Sequence, residues 1–266
     1  MIKNPNTSLW THYEENAISR GNLVVQILSK HMNLESAQIM DVGCGTGGIS
    51  LALARAGARV KAIDPDPVKI AQAIQITNLY DSIEIMQGEL ANEPGSYYDA
   101  IILNDVLEHV KNPHQTLRQC GETLKKDGLL YISTPNKWSL LNIFCDPHYS
   151  LPFVALLSRK NVKRIITNYL KWHSKQKKDF PQLLSFTQLK NLIDNNQFEW
   201  SLINTTTVLL ALKEPEFLWS RRLHLNIIKK IKRFKLEKFF IKFINDRHGI
   251  FNKFINPTWY ILAKRV

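Results

Sequence analysis

Three side chains in the stretch "NDVLEHV" are of types that could share one chemical task. Asp105, Glu108 and His109 are spaced i, i+3 and i+4, so a helical turn beginning here would put them on one side. Two carboxylates and an imidazole can hold a divalent ion such as magnesium, or take a proton from a hydroxyl without one. His148, in "DPHYSLP", is a candidate fourth ligand brought in by a later segment. A structural reading stands beside these two: the acid caps a helix and the histidine packs beside a ligand.

A second constellation lies in "IMDVGCGTGGISLALA". Gly43, Gly45 and Gly48 fit the dinucleotide spacing G-x-G-x-x-G, and Gly43, Gly45 and Gly47 equally fit G-x-G-x-G. The glycines alone mean only that the backbone must approach something closely between a strand and a helix. Asp41 stands two residues before Gly43, where a pyrophosphate would meet an unscreened carboxylate. A cofactor carrying an ammonium and a sulfonium would be helped by the same charge. Asp64 ends the next apolar run, "RVKAID", and is placed to accept hydrogen bonds from ribose hydroxyls. It marks an adenosine without saying which one.

The elements that must position these groups alternate. "AQIMDV", "RVKAID", "SIEIMQG", "YDAIILN" and "GLLYISTP" read as strands, separated by helical patterns that include Asp66 to about Leu79 and "PHQTLRQCGETLKK" from Pro113. Such alternation implies a doubly wound, mostly parallel α/β sheet with ligands beyond the carboxyl ends of its strands. "SFTQLKNLIDNNQF" adds a helix capped by Ser185, "EWSLINTTTVLL" a strand, and "PTWYILAKR" the last strand.

"DVGCGTGG", "AIDPDP", "NDVLEHV" and "GLLYISTPN", in this order and spacing, resemble the class I S-adenosylmethionine (SAM)-dependent methyltransferases over about residues 37–136. Within that class the chain is most similar to the ubiquinone-biosynthesis O-methyltransferases and related small-molecule enzymes. The resemblance implies a seven-stranded sheet with the last strand antiparallel, and SAM as cofactor. It implies that Asp41, Gly43 and Gly45 hold the methionine part, Asp64 the ribose, and Glu89 with Leu90 the adenine edge, with Asn104 lining the cofactor. The family often has Asp where this chain has Glu89. The acidic–histidine cluster is similar to the E-x-x-E-H of those enzymes and of small-RNA 2′-O-methyltransferases, which binds a divalent ion; Asp105 offers a shorter arm in the first position. The segment after the fifth strand commonly lines the acceptor pocket in this fold, which brings in Asn136, Trp138, His148 and Tyr149.

Charge divides the chain. Residues 137–266 hold 24 Lys and Arg against 8 Asp and Glu, whereas residues 1–136 hold 11 against 15. The expected organisation is a SAM-binding core over 1–136, an acceptor-side helical insertion over 137–184, a core helix and strand over 185–212, a basic amphipathic helical extension over 213–256, and the last core strand over 257–266. Within the extension, Arg221 to Ile244 interleaves Lys and Arg with Ile and Phe. Ile227, Ile231, Phe234 and Ile241 fall on one helical face, which reads as a membrane-surface element. A lid with a solvated basic face is the second reading and nucleic acid the third. Phe239, Phe240 and Phe243 mix with Ile and Leu there, unlike aromatic residues set out for base stacking.

Three scattered cysteines, no signal-peptide pattern and no long apolar run point to a cytoplasmic protein, peripheral on a membrane if the basic helix docks. The function expected is O-methylation of a small-molecule, lipid-linked or sugar acceptor. Methylation of RNA is the alternative enzyme. A non-catalytic SAM-binding module that recruits a partner through its basic surface is the alternative outside catalysis.

Overall fold

The computed structural model describes residues 17–90, 95–172, 179–218, 222–237 and 244–266. Seven strands form one sheet: β1 (Gln38–Val42), β2 (Arg59–Asp64), β3 (Ile83–Gln87), β4 (Tyr98–Asn104), β5 (Leu124–Pro135), β6 (Phe198–Leu202) and β7 (Thr258–Arg265). Their order is β3-β2-β1-β4-β5-β7-β6, with β1 to β5 parallel and β7 antiparallel to both of its neighbours. The order reverses between β1 and β4, which opens a crevice at their carboxyl ends.

Period-two alternation in the central strands builds two cores. Ile39, Ala100, Ile102 and Tyr131 face one layer, and Met40, Ile101, Leu103, Leu130 and Ile132 face the other. Helices α1 (Ala17–Leu28), α2 (Gly48–Arg55) and α3 (Pro67–Thr77) precede β3, and α4 (Pro113–Thr123) precedes β5. Their starts are written locally: Asp66 accepts from Val68 N with Pro67 in the first helical position, and Asn112 does the same for Gln115 N ahead of Pro113. After β5 come α5 (Leu140–Phe144), α6 (Arg159–Arg164) and α7 (Phe186–Asp194), the last opened by a Ser185–Gln188 capping box.

Two expectations fail. The strand expected over residues 199–210 ends at Leu202, and α8 (Asn204–Lys213) follows at once. The ladder stops because the Asn204 side chain, not a backbone carbonyl, accepts from Tyr260 N at 2.9 Å. Thr207 then donates back to Ile203 O at 2.9 Å, and Leu210, Ala211 and Leu212 are buried. Tertiary burial overrides the strand preference of the Thr run.

The basic helix expected over 221–244 is also shorter. Helix α9 spans Arg222–Arg233 and closes at Lys235, whose φ is +53. Lys235 N donates to Lys232 O and Leu236 N to Ile231 O, the paired bonds of a Schellman stop. Ile228 is buried, Ile231 half-buried, and Phe234 lies exposed beyond the helix end. Phe239, Phe240, Ile241, Phe243 and the side chain of Ile227 lie outside the described residues. No helix among the described residues is long and apolar enough to cross a membrane.

The extension returns to the sheet through α10 (Ile250–Phe254) and a buried asparagine network. Asn252 Nδ2 donates to Asn245 O and Arg247 O, and its Oδ1 accepts from Asn204 and Asn256. Every polar atom of the Asn252 side chain is thereby satisfied, as burial requires.

Candidate functional site

The glycine loop joins β1 to α2 at the crevice. Gly43, Gly45 and Gly47 have φ of +70, +56 and +82, a region that side-chain-bearing residues rarely enter. A Cβ on Gly43 would stand 2.7 Å from Val106 Cγ2. Gly48 serves a different end: a Cβ there would meet Ala17 Cβ at 2.4 Å, where α1 lies against α2. The two glycine spacings in the sequence therefore have separate causes, loop conformation for one and helix packing for the other.

The loop is anchored on the end of β2. Gly43 N and Cys44 N donate to Ile63 O, while Gly45 N donates to Asp64 Oδ2 at 3.0 Å and Asp66 N to Asp64 Oδ1 at 2.9 Å. Asp41 is buried beneath and accepts from Ser50 Oγ at 2.6 Å. Burial pushes the Asp41 carboxyl up to about 6; the Ser50 hydrogen bond works against this and the Asp64 charge adds to it. A cation above Asp41 would relieve that cost. Beyond β3, Gly88 N donates to the backbone carbonyl of Asp64 at 3.1 Å, which ties the segment leading to exposed Glu89 and buried Leu90 to the end of β2.

At the end of β4 the sequence reading needs correcting. Asp105 has φ +56 and does not start a helical turn; the turn begins one residue later, with His109 N and Val110 N both donating to Val106 O. Its carboxylate accepts from Arg20 Nη1 at 2.7 Å and from Ser133 Oγ at 2.9 Å, and so faces α1. Asn104 Oδ1 accepts from the same Ser133 hydroxyl at 3.0 Å. Arg20, Asn104, Asp105, Ser133 and Tyr260 line a small recess of about 40 Å³. Asp105 is thus separated from Glu108 and His109, with which the spacing had grouped it.

His148 takes the place expected for Asp105. One ligand atom each from Glu108, His109 and His148 lie within 4.8 Å of one another. Glu108 is fully buried; its Oε2 accepts from Thr134 at 3.0 Å, and its Oε1 has no hydrogen-bond partner among the described residues. Burial pushes this carboxyl up to about 7, with the charge of His109 opposing and that of Asp105 adding. His148 Nε2 stands 3.9 Å from Glu108 Oε1, and the His148 and His109 rings meet edge to face at 5.0 Å. Burial disfavours the charged His109 imidazole, but its hydrogen bond to Asp179 and the charges of Glu108 and Asp179 outweigh that and raise its pKa.

Two partners escaped the sequence reading. Asp179 sets both oxygens 3.0 Å from His109 Nδ1 across 70 positions, and Arg20 reaches Asp105 across 85. No local pattern marks either one. Of the residues expected at an acceptor pocket, His148 and Tyr149 are buried at the cluster. Asn136 is not at a pocket wall: its Nδ2 donates to the carbonyls of Asn252, Lys253 and Asn256, tying the extension to β5. Trp138 is exposed on the outer surface. The insertion also grips the cluster's backbone, through Arg159 Nη2 on Glu108 O and Val110 O and Gln182 N on Glu108 O.

The profile of a family described as a methyltransferase domain matches residues 11–201. The ubiquinone biosynthesis O-methyltransferase of Xanthomonas oryzae pv. oryzae (strain PXO99A) is 37% identical over 118 residues, covering 41% of this chain and 48% of the relative. That of Xanthomonas campestris pv. campestris (strain B100) is 40% identical over 112 residues, covering 39% and 45%. The chain thus spans about half the length of the curated relatives it matches. Among solved structures, a SAM-dependent methyltransferase from Mesorhizobium loti superposes with TM-score 0.56 at 15% identity, covering 90% of this chain and 96% of its own. The SAM complex of phosphoethanolamine N-methyltransferase 2 from Haemonchus contortus gives 0.53 at 14% identity, covering 92% and 52%.

Proposed function

Because the chain belongs to the methyltransferase domain family, we propose that it moves the methyl group of SAM onto an oxygen of a small acceptor, a lipid-linked molecule or a sugar. The observation that carries this reading is the pair of buried carboxylates, Asp41 and Asp64, beside a left-handed glycine loop at the carboxyl ends of β1 and β2. Each Asp64 oxygen accepts one backbone N–H and keeps a lone pair for a ribose hydroxyl. Asp41 offers its charge to the ammonium end, Gly43 and Gly45 allow close approach to the backbone, and Asn104 forms the facing wall. Leu90 gives the adenine an apolar contact, with Glu89 at its edge.

SAM supplies a methyl group on a positively charged sulfur. Displacement from that sulfur is in line, so the chain contributes chiefly by aligning the acceptor oxygen. The oxygen must also lose its proton, and Glu108, His109 and His148 are the groups at hand. Their donor atoms fit a divalent ion, since Glu108 Oε1 is buried without a hydrogen bond among the described residues. One carboxylate and two imidazoles suit zinc better than magnesium, and such an ion lowers the pKa of a bound hydroxyl. A second reading has its own observation, the Asp179 carboxylate on His109 Nδ1, which would make His109 a base without an ion.

The names of the Xanthomonas relatives support oxygen as the methylated atom. Exposed Lys229, Lys230, Lys232 and Arg233 of α9 support attraction of the 221–244 region to an anionic membrane. The test is transfer from radiolabelled SAM into an extract of the source cells, followed by partition between organic solvent and water. Label in the organic phase, absent with an Asp64→Ala variant, is expected. Label released by ribonuclease would replace this reading with RNA methylation, and SAM binding without any transfer would leave a binding module.

A further inference from the structure

We propose that Lys69 and Arg159 form an anion-recognition subsite beside His109, so that the acceptor carries a carboxylate or phosphate group near the oxygen that is methylated. The proposal deepens the preceding reading and rests on it for the identity of the ligand as an acceptor. The subsite itself stands on the two cations. Lys69 belongs to the face of α3 that covers the glycine loop. Further along that face, a Cβ on Gly47 would stand 3.1 Å from Ala73 Cβ and 3.4 Å from Thr77 Cγ2. Lys69, four residues before Ala73, shares the face and lies at the crevice end of α3, where Asp66 N donates to Asp64 Oδ1. Its charge is felt both in the glycine loop and beyond β4. Burial pushes the Cys44 thiol up, Asp41 and Asp64 add to the shift, and Lys69 works against it. At His109, burial disfavours the charged imidazole and Lys69 acts in the same direction, against Asp179 and Glu108.

Arg159 approaches from the insertion. Its Nη2 donates to Glu108 O at 3.0 Å and to Val110 O at 2.9 Å, the carbonyls on either side of His109. Its buried Nε has no hydrogen-bond partner among the described residues. Lys69 and Arg159 are both half-buried, and no carboxylate among the described residues pairs with either. Buried cations are ordinarily paired, and a lysine in the first turn of a helix opposes the helix dipole. Neither placement is explained by the stability of the free chain. Helix α6, which Arg159 begins, holds four cations and no carboxylate. The Asp179 carboxylate is already engaged, with both oxygens 3.0 Å from His109 Nδ1. His109 is the member of its cluster that solvent reaches, with a side chain 27% exposed against 9% for His148 and 0% for Glu108. An oxyanion arriving there meets a guanidinium and an ammonium from two different elements, both donors suited to carboxylate or phosphate oxygens. The same two charges favour the ionised form of a neighbouring acceptor hydroxyl, which assists the proton loss that transfer requires.

The test is titration of the full chain, with and without SAM, by three probes that share a benzene ring: phenyl phosphate, benzoate and phenol. One of the two anions is expected to bind at least about tenfold more tightly than phenol, and which one does so tells phosphate from carboxylate. Lys69→Met should weaken that anion about tenfold while leaving phenol and SAM within about twofold. Lys69 makes no hydrogen bond among the described residues, so this variant is expected to fold, which thermal unfolding checks. Arg159→Met should act in the same direction; if it unfolds the insertion, Lys69→Met decides alone. Equal binding of all three probes, no binding of any, or a preference that survives Lys69→Met overturns the proposal. Loss of SAM affinity in Lys69→Met with anion binding unchanged overturns it too and assigns Lys69 to the cofactor. A parent chain that fails to bind SAM defeats the cofactor reading, and the SAM-free titration still decides the subsite.

Discussion

The sheet edge proposed for the cofactor and the edge proposed for the acceptor are built by opposite means. At the cofactor edge, Asp41, the glycine loop and Asp64 come from 24 consecutive positions, and backbone conformation sets their geometry. At the acceptor edge, Glu108 meets His148 from an insertion, His109 meets Asp179 from its far end, and Asn136 binds a segment more than a hundred positions away. The first edge is built locally. The second is an assembly, and it carries the buried charge cost at Glu108.

The sharpest break between the two is expected in turnover. His148→Ala should lower kcat by about a thousandfold, in the range of a lost acid, base or ion ligand, while leaving SAM affinity within about twofold. Equal losses in both quantities would mean that the edges are not separable. Asp64→Ala should weaken SAM binding about a hundredfold by calorimetry, the scale of two lost hydrogen bonds to a charged group. Gly48→Ala should destabilise the fold by about 3 kcal/mol in urea unfolding, because the new methyl meets the backbone of α1.

Glu108 gives a pH signature that lies higher than that of Asp41 at the cofactor edge, about 7 against about 6. Its folded pKa lies above the unfolded value, so its contribution to stability is present at low pH and is lost as pH rises through about 7. Glu108→Gln should therefore raise metal-free stability by on the order of 2 kcal/mol at pH 8, with the gain shrinking below pH 6. A gain independent of pH would point to packing instead. The smallest effect sharpens the correction at β4: Asp105→Asn should change zinc affinity by less than about threefold, whereas Glu108→Gln should lower it at least about tenfold. Comparable losses would return Asp105 to the cluster.

The chain's front half was legible because each device there is local. Short apolar runs marked β1, β2, β4 and β5, Asp66 and Pro113 marked helix starts, and strand-ending carboxylates located the crevice. Reading failed where a distant contact overruled a local preference. Asn204 takes over a ladder bond to Tyr260 and turns a Thr-rich strand candidate into a helix. Arg20 and Ser133 hold Asp105 in a left-handed conformation, which undoes the i, i+3, i+4 grouping.

By itself, then, the sequence determined the sheet, the glycine loop and the placing of Asp41 and Asp64 at strand ends, because hydrophobic period and turn chemistry act over a few residues. Only the tertiary structure decided that His148 joins Glu108 and His109, and that Asp179 holds His109. Those relations depend on how an insertion closes over the sheet, and loop closure leaves no periodic trace in the chain.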